Sequence, residues 1–306
     1  MDMHPSAPVP ASAGRHWRDR VVAFGARWLV KPSLALPTPW AWHRFTFGIA
    51  GRLKPMADGI SRTTITLRGR PGLVYSPANP TCRILWIHGG GFTVGSPRIY
   101  AGMLSALAKA ANALVLAPSY RLAPEHPFPA GLDDVTAALD AARAYRDDLG
   151  PLILGGDSAG GCLIAAAMSE SLAAGHRYRG LILASPASDL DPTRPVPPDA
   201  RDLIFPVSIL KRIARDYGAG HDPTDPRLSP AHADMTGAPP ALIQCAQREL
   251  LEGDSVALAT RLRDAGGPVT LERWPGVPHV WQFLAGQTPT ASMAIERMAA
   301  FARSLP

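Results

Sequence analysis

The sequence predicts an α/β protein built on a mostly parallel, doubly wound sheet of eight strands that starts with an antiparallel pair. The main observation is that short apolar runs alternate with helix-length segments through most of the chain, as in strands joined by crossover helices. The second is a polar–apolar alternation over 62–67, followed closely by another strand pattern, which is typical of an antiparallel pair. The 306 residues are enough for one large α/β domain with a well-filled core, or for two small domains.

The first 55 residues are predicted to form a tail and helices that precede the main body. Residues 1–14 are rich in Pro, Ala and Ser, a composition typical of a mobile tail. Apolar side chains then recur at helical spacing, at Trp17, Val21, Phe24 and Trp28, and a shorter helix is predicted over 40–53. Two interpretations of the first helix stay open: it lies on a membrane surface, or it packs its apolar stripe on the main body.

The main body is predicted to span 56–306. Its hairpin joins 62–67 to 73–75 through a turn at Pro71-Gly72. Further apolar runs predict strands at 83–87, 114–117, 152–154, 181–184, 241–245 and 269–273. Helices are predicted between and after them, at 98–111, 130–147, 159–174, 254–265 and 287–303. The segment 188–230 interrupts this rhythm with many Pro and Asp residues and one helical piece at 203–217, so it is predicted to be an insertion.

The stretch Gly156-Asp157-Ser158-Ala159-Gly160 is the strongest chemical signal in the chain. It stands between an apolar run and a helical pattern, and a Gly-x-Ser-x-Gly turn in that setting is a nucleophile elbow. Glycines flank the serine because side chains there would collide with the neighbouring strand and helix. The turn would present the Ser158 hydroxyl at a helix N-terminus, where negative charge is favoured.

A nucleophilic serine needs a base, and the base needs an acid to orient it. His279 follows the last predicted strand in a loop rich in Pro and Gly, and it is the predicted base; His88, which opens a glycine run, is the rival and is expected to brace that run. Glu249 comes soonest after the strand that ends at 245, so it is the predicted acid, whereas Asp254 is expected to begin the next helix. The resulting order of nucleophile, acid and histidine is typical of such hydrolases.

The glycine run at 89–91 is predicted to supply oxyanion donors, because backbone N–H groups there can face a substrate oxygen without side-chain interference. The N–H group of Ala159, directly after the nucleophile, is a further donor. A phosphate-binding loop is the alternative, but the chain has no Gly-x-x-x-x-Gly-Lys-[Ser/Thr] and no complete Gly-x-Gly-x-x-Gly. The sequence predicts no cofactor and no metal.

The composition indicates which classes of partner and which cellular compartment to expect for this protein. The net charge of +6 comes from scattered arginines rather than a basic run, so no nucleic-acid partner is predicted. Cys82, Cys162 and Cys245 form an odd, widely spaced set inside apolar patterns, which predicts buried thiols and a reducing cytoplasm. No signal peptide and no membrane-spanning stretch is expected. The predicted partner is a small-molecule ester or lactone, with a homodimer left open.

The chain resembles the bacterial hormone-sensitive-lipase-like (family IV) serine esterases of the α/β-hydrolase fold over roughly residues 70 to 300. Four stretches carry the resemblance: His-Gly-Gly-Gly-Phe at 88–92, Tyr-Arg-Leu-Ala-Pro-Glu-His-Pro-Phe-Pro-Ala at 120–130 with Asp133-Asp134 after it, Gly-Asp-Ser-Ala-Gly-Gly at 156–161, and Asp-Pro-Arg-Leu-Ser-Pro at 225–230.

The resemblance implies oxyanion donors at Gly90, Gly91 and Ala159, and a helical cap made of the N-terminal helices and the insertion. Many relatives carry Asp in the acid position where this chain has Glu249; one branch of the family is similar to this chain, with Glu before a Leu-Leu pair. The sequence thus predicts a serine carboxylic-ester hydrolase for short- to medium-chain esters. A lactone hydrolase or a small-molecule deacetylase would use the same atoms, and a non-catalytic receptor of the same fold is the rival from another class.

Overall fold

The structure is a computed structural model that describes residues 7–52 and 55–306. Its sheet has eight strands in the order β1-β2-β4-β3-β5-β6-β7-β8. The strands are β1 (Ser61–Leu67), β2 (Arg70–Ser76), β3 (Cys82–Ile87), β4 (Ala113–Pro118), β5 (Ile153–Asp157), β6 (Gly180–Ala184), β7 (Ala241–Ala246) and β8 (Val269–Trp274). Only the β1–β2 and β2–β4 pairs are antiparallel. The predicted mostly parallel sheet with an antiparallel start is confirmed.

Nine α-helices are found within the described residues: α1 (Trp17–Gly25), α2 (Lys31–Ala35), α3 (Trp40–Arg52), α4 (Ala101–Ala111), α5 (Ala130–Ala144), α6 (Ser158–Ala173), α7 (Val207–Gly218), α8 (Glu252–Asp264) and α9 (Pro289–Ser304). A π-helical turn at Ala26–Val30 joins α1 to α2. One core cluster lies where α5, α6 and α8 cover the sheet, and a second lies under α4 and α9. Helices therefore cover both faces, which is why β3 to β7 are buried at every residue.

The hairpin turn lies three residues earlier than its predicted position at Pro71-Gly72. Arg68 and Gly69 form it, with φ values of 47° and 80°, and Leu67 pairs with Arg70 across it. A two-residue hairpin that needs positive φ at both central positions excludes proline, whose ring holds φ near −65°. Pro71 and Gly72 instead lie inside β2.

The predicted mobile tail is wrong for residues 7–14, and residues 1–6 lie outside the described part of the chain. The Ala7 N–H donates to the Leu271 carbonyl (2.8 Å), and the Gly14 N–H donates to Thr290 Oγ1 (3.0 Å). Ala13 is buried. Strand β8 is an edge strand with backbone groups that no neighbouring strand can pair. A short extended segment that satisfies part of this edge is therefore held in place.

The N-terminal helices contact the insertion that separates β6 from β7. Trp40 Nε1 donates to Asp216 Oδ2 (2.7 Å), and the Arg212 guanidinium lies 4.1 Å from the centre of the Trp40 ring. Arg212 Nη1 also donates to the Thr38 carbonyl (2.7 Å). Both Arg212 and Asp216 belong to α7, the helix predicted at 203–217. The N-terminal helices and the insertion, which are far apart in the sequence, thus pack together in one layer.

Candidate active site

The sharp turn between β5 and α6 carries Ser158 at its tip. Ser158 has φ 51°, a left-handed conformation that non-glycine residues rarely adopt. A Cβ on Gly160 would lie 2.1 Å from the Ile87 carbonyl oxygen, and one on Gly156 would lie 2.7 Å from the Gly160 carbonyl carbon. These contacts are the predicted collisions, so only glycine fits on either side of the serine.

His279 joins Ser158 to Glu249 in one buried chain of hydrogen bonds. His279 Nε2 lies 2.9 Å from Ser158 Oγ, and His279 Nδ1 lies 2.7 Å from Glu249 Oε2. All three side chains are buried, with exposed fractions of 6%, 7% and 3% for Ser158, His279 and Glu249. Because the ionised carboxylate only accepts, Nδ1 carries the proton and Nε2 is left as an acceptor for the serine hydroxyl. The structure therefore brings the three predicted residues together in the order needed for proton transfer.

The electrostatic surroundings of His279 favour its protonated form. Burial alone would lower the pKa of this imidazole. The charge of Glu249 and its hydrogen bond outweigh burial, with smaller contributions from Asp202 and Asp157, so the pKa of His279 is raised above its ordinary value. The site thus stabilises the imidazolium form of His279.

Two further contacts hold the loop that carries Glu249. Glu249 Oε1 accepts from the Ala246 N–H (3.0 Å), so both carboxylate oxygens are engaged. The N–H group of Leu250, the residue after Glu249, donates to Asp202 Oδ2 (2.9 Å). Asp202 also accepts through Oδ1 from Ile204 N and Phe205 N, and it is buried. The sequence reasoning missed Asp202; its only local signal is the turn that an aspartate forms with N–H groups two and three residues later.

Asp254, the rival acid, holds the insertion instead of the histidine. Its Oδ2 accepts from the N–H groups of Ser188 (2.8 Å) and Asp189 (3.3 Å), and its Oδ1 pairs with Arg194. Burial raises its pKa to about 6, against the opposing effect of Arg194 and the backbone donors. The helix α8 begins two residues before it, at Glu252.

The glycine run after β3 lies beside Ser158. Gly90 and Gly91 have φ values of 117° and 57°, which glycine adopts readily. A Cβ on Gly90 would lie 2.1 Å from the Val94 carbonyl oxygen. Gly91 and Ala159 line the same cavity as Ser158. Ala159 is in the first turn of α6, where N–H groups have no acceptor within the helix.

His88 braces this loop, as predicted, and is not placed to act as the base. Its Nδ1 lies 2.8 Å from the Gly89 carbonyl oxygen, and its ring stacks on Tyr120 at 4.4 Å between centroids. The Tyr120 hydroxyl donates to the His88 carbonyl (3.0 Å). Burial lowers the pKa of His88 to about 4, so the ring is neutral at pH 7.

Asp157, the residue before Ser158, anchors the turn between β5 and α6 through two buried hydrogen bonds. Its Oδ1 accepts from Trp86 Nε1 (3.0 Å), and its Oδ2 accepts from the Tyr100 hydroxyl (2.7 Å). Burial raises its pKa to about 6, although both donors lower it. Sequence reasoning did not assign these partners, since Trp86 and Tyr100 lie far from the motif in the chain.

A cavity opens above Ser158, with an empty volume of about 800 Å³ that includes its mouth. Most of its lining comes from the insertion and from the loop after Glu249; the apolar part includes Phe205, Val207, Leu210, Ile213, Leu250 and Leu251. The Phe205 ring lies 4.6 Å from that of His279. No aromatic side chain of residues 17–49 is among the lining. Within the described residues, the aromatic side chains of the N-terminal helices therefore do not form a wall of this cavity.

Comparisons with known proteins identify the family of the chain. Residues 84–283 match a family described as having the alpha/beta hydrolase fold. An acetyl-hydrolase of Streptomyces hygroscopicus is 40% identical over 224 residues, which are 72% of this chain and 75% of that protein. An esterase of Acinetobacter venetianus is 31% identical over 83% of this chain and 86% of its own length.

Solved structures of similar proteins also have the α/β-hydrolase fold. The crystal structure of a hormone-sensitive lipase from a metagenome library superposes with a TM-score of 0.83 at 32% identity, covering 91% of this chain and 97% of the other. An esterase of the bacterial hormone-sensitive lipase family also superposes with a TM-score of 0.83. The chain therefore belongs to this α/β-hydrolase family, among the ester hydrolases that resemble hormone-sensitive lipase.

Proposed function

We propose that Ser158, His279 and Glu249 are the catalytic triad of a carboxylic-ester hydrolase that works through an acyl-enzyme. The observation that carries the proposal is the continuous hydrogen-bonded chain from Ser158 Oγ through both nitrogens of His279 to Glu249 Oε2. His279 takes the proton of Ser158 as Oγ attacks the ester carbonyl, and it then delivers that proton to the leaving alkoxide. Water completes the cycle by the same route, releasing the acid.

The backbone N–H groups of Gly90, Gly91 and Ala159 are the proposed oxyanion donors. Donors held in place by backbone geometry need no rearrangement when negative charge develops on the carbonyl oxygen. The positive φ values of both glycines and the position of Ala159 in the first turn of α6 support this assignment. The interactions of His88 and Tyr120 hold the glycine run from behind.

Small and largely apolar esters are the proposed substrates, with short to medium acyl chains. The apolar lining of the cavity suits an acyl chain or an alcohol of modest size. One relative is an acetyl-hydrolase, which keeps a small-molecule deacetylase as an alternative. A lactone hydrolase is the other alternative, because it would use the same triad atoms. The N-terminal helices and the 188–230 insertion are proposed to act together as a cap, because Trp40 and Thr38 contact α7.

The first experiment is labelling with a fluorophosphonate, followed by turnover of nitrophenyl esters of rising chain length and of several lactones. Labelling of Ser158 and hydrolysis of the shorter esters are expected. A non-catalytic receptor of this fold would neither be labelled nor turn over any ester, and that result would overturn the proposal. Faster turnover of lactones than of every linear ester would move the assignment to a lactone hydrolase.

The cytoplasm remains the proposed location. Cys82, Cys162 and Cys245 are free and buried, and burial raises the pKa of each thiol, which disfavours the reactive thiolate. Within residues 7–52 and 55–306, no helix has both the length and the apolar character needed to cross a bilayer. Fractionation of the native host cell checks the location.

The dependence of kcat/KM on pH is expected to be a rise that levels off, with its midpoint above pH 6.5. His279 must be neutral to accept a proton, and its pKa is raised, so the active fraction grows as pH rises through that higher value. Steady-state kinetics with a soluble nitrophenyl ester between pH 5 and 9 measure the profile. A midpoint well below 6.5 would contradict the Glu249–His279 pairing in the free enzyme.

Replacing Ile213 with alanine is expected to shift chain-length preference toward longer or branched acyl groups. Ile213 lines the cavity and contacts Gly91, since a Cβ there would lie 2.6 Å from Ile213 Cδ1. Each methylene newly accommodated is expected to raise relative kcat/KM about fourfold, from about 0.8 kcal/mol per buried CH₂. The measurement is the ratio of kcat/KM for nitrophenyl hexanoate to that for nitrophenyl acetate.

Ile209→Ala is the matched control for this change. Ile209 is on the same helix and is buried, but it does not line the cavity. The control loses comparable packing and should leave the hexanoate-to-acetate ratio unchanged. Equal ratios in both variants and the wild type would remove Ile213 from the acyl-binding wall.

A further inference from the structure

The N-terminal helices present an apolar surface to solvent. Ten of the twelve exposed large hydrophobic side chains in the described residues lie between 17 and 49. We call them the outer face: Trp17, Val21, Phe24, Trp28, Leu29, Val30, Leu36, Trp42, Phe45 and Ile49. Exposed apolar side chains gathered in one region mark an interaction site more often than singly scattered ones do.

Helix α1 is turned so that Asp19 faces the protein, while its apolar stripe and its arginines are exposed. Asp19 is buried and accepts a hydrogen bond from Thr290 Oγ1 (2.6 Å), and Ala26, just after the helix, is also buried. On the opposite side, Trp17 and Phe24 are 63% and 64% exposed. A surface helix normally buries its apolar stripe against the core. The interpretation that this stripe packs on the main body is therefore wrong, and the stripe needs another partner.

Near α1, the exposed charges contributed by residues 15–31 are all positive, whereas Arg44 on α3 pairs with the exposed carboxylate of Glu125. Arg15, Arg18, Arg20 and Arg27 are all exposed. Between residues 15 and 49 the only acidic residue is Asp19, which is buried. The Arg18 and Arg27 guanidinium groups lie 5.4 and 5.5 Å from the ring centres of the neighbouring Trp17 and Trp28. Cationic and indole groups thus lie side by side along α1 and the π-helical turn, and residues 15–49 themselves expose no carboxylate.

We propose that the outer face binds the surface of an anionic phospholipid bilayer. Tryptophan side chains favour the interface between water and hydrocarbon, and arginines attract anionic headgroups. Helix α1 would lie in the plane of the interface with its apolar stripe among the acyl chains. A second copy of the chain is the weaker candidate, because a two-fold contact through this face would bring the same arginines together with no exposed carboxylate from residues 15–49 to neutralise them.

The test uses the full chain and sedimentation with phosphatidylcholine vesicles that contain or lack phosphatidylglycerol. The protein is expected to sediment with the anionic vesicles, to bind neutral ones far more weakly, and to be released by high salt. Binding does not require the catalytic serine, so Ser158→Ala should bind as the wild type does. Failure of the wild type to bind anionic vesicles at low salt would overturn the proposal and leave the proposed function untouched.

Matched variants separate the contributions of charge and apolar contact. Arg18→Gln/Arg27→Gln should weaken binding to anionic vesicles roughly fivefold per arginine. Arg62→Gln/Arg68→Gln removes the same charge from exposed positions on and beside β1 and should weaken binding much less. Phe24→Ser/Trp28→Ser should lower binding on the order of tenfold or more. Unchanged hydrolysis of a soluble ester shows that this last variant is folded.

The oligomeric state of the vesicle-free protein decides between the lipid surface and a second copy. A monomer in light scattering, together with the vesicle results above, is expected. A dimer that Phe24→Ser/Trp28→Ser converts to a monomer would assign the outer face to self-association. Equal loss of vesicle binding from both arginine pairs would also overturn the proposal, since it would show attraction by net charge alone.

Discussion

Ser158→Ala is expected to lower kcat for nitrophenyl acetate by about 10⁴-fold or more while the protein stays folded. Alanine has no nucleophile for the acyl-enzyme, and the members of a triad act as a unit. The backbone should keep its geometry, because alanine meets the same restriction at φ 51° as serine does. The contact from the Ala187 N–H to the carbonyl of residue 158 (3.1 Å) involves no side chain.

Steady-state turnover, fluorophosphonate labelling and the thermal midpoint of unfolding together measure this effect. Ser169→Ala is the control on the same helix, since its hydroxyl is exposed and only donates to the Asp234 carbonyl (2.8 Å). The control should keep wild-type turnover and labelling. If the Ser158 variant retained a tenth of the activity with a normal unfolding midpoint, Ser158 would not be the nucleophile.

Glu249→Gln is expected to lower kcat by roughly 10³- to 10⁴-fold with little change in KM. The Ala246 N–H donates to Oε1, so the amide oxygen should take that position and the amide NH₂ should face His279. An NH₂ group there forces His279 Nδ1 to accept, which puts the ring proton on Nε2. The ring could then no longer take the proton of Ser158, and no carboxylate would stabilise the imidazolium.

The pH profile of the remaining activity provides a second readout for Glu249. Glu249 is the largest influence that raises the pKa of His279, whereas burial lowers it. Removing the carboxylate charge should move the midpoint of the profile to lower pH. A merely structural role for Glu249 would lower activity without moving that midpoint.

Asp254→Asn is the matched comparison, because both acids are buried and lie five positions apart. Its contacts are with Ser188, Asp189 and Arg194, so its loss should loosen the start of the insertion and raise KM, with less than about a tenfold change in kcat. Lower kcat for Asp254→Asn than for Glu249→Gln, with both variants folded, would make the acid assignment wrong.

The sequence by itself determined the alternating elements and the turn at Ser158, and it predicted His279 and Glu249 as the partners of that serine. Those features depend on patterns among residues that are close together in the sequence. The spacing at which apolar residues recur distinguishes a strand from a helix. At the turn around Ser158, neighbouring backbone atoms come so close that only glycine fits on either side. Residues that follow parallel strands meet at one edge of the sheet, so candidates for the site can be collected before any contact is known.

Only the tertiary structure decided which side of each element meets which partner. An apolar stripe shows that α1 has two unlike faces, but only the structure shows that the stripe faces outward while Asp19 accepts a hydrogen bond from Thr290 within the protein. Asp202 accepts a hydrogen bond from Leu250, 48 residues away in the sequence. Asp254 contacts Ser188 and Arg194 at the start of the insertion. Such contacts join groups that are distant in the chain. Their geometry is set by packing of the whole fold rather than by local pattern.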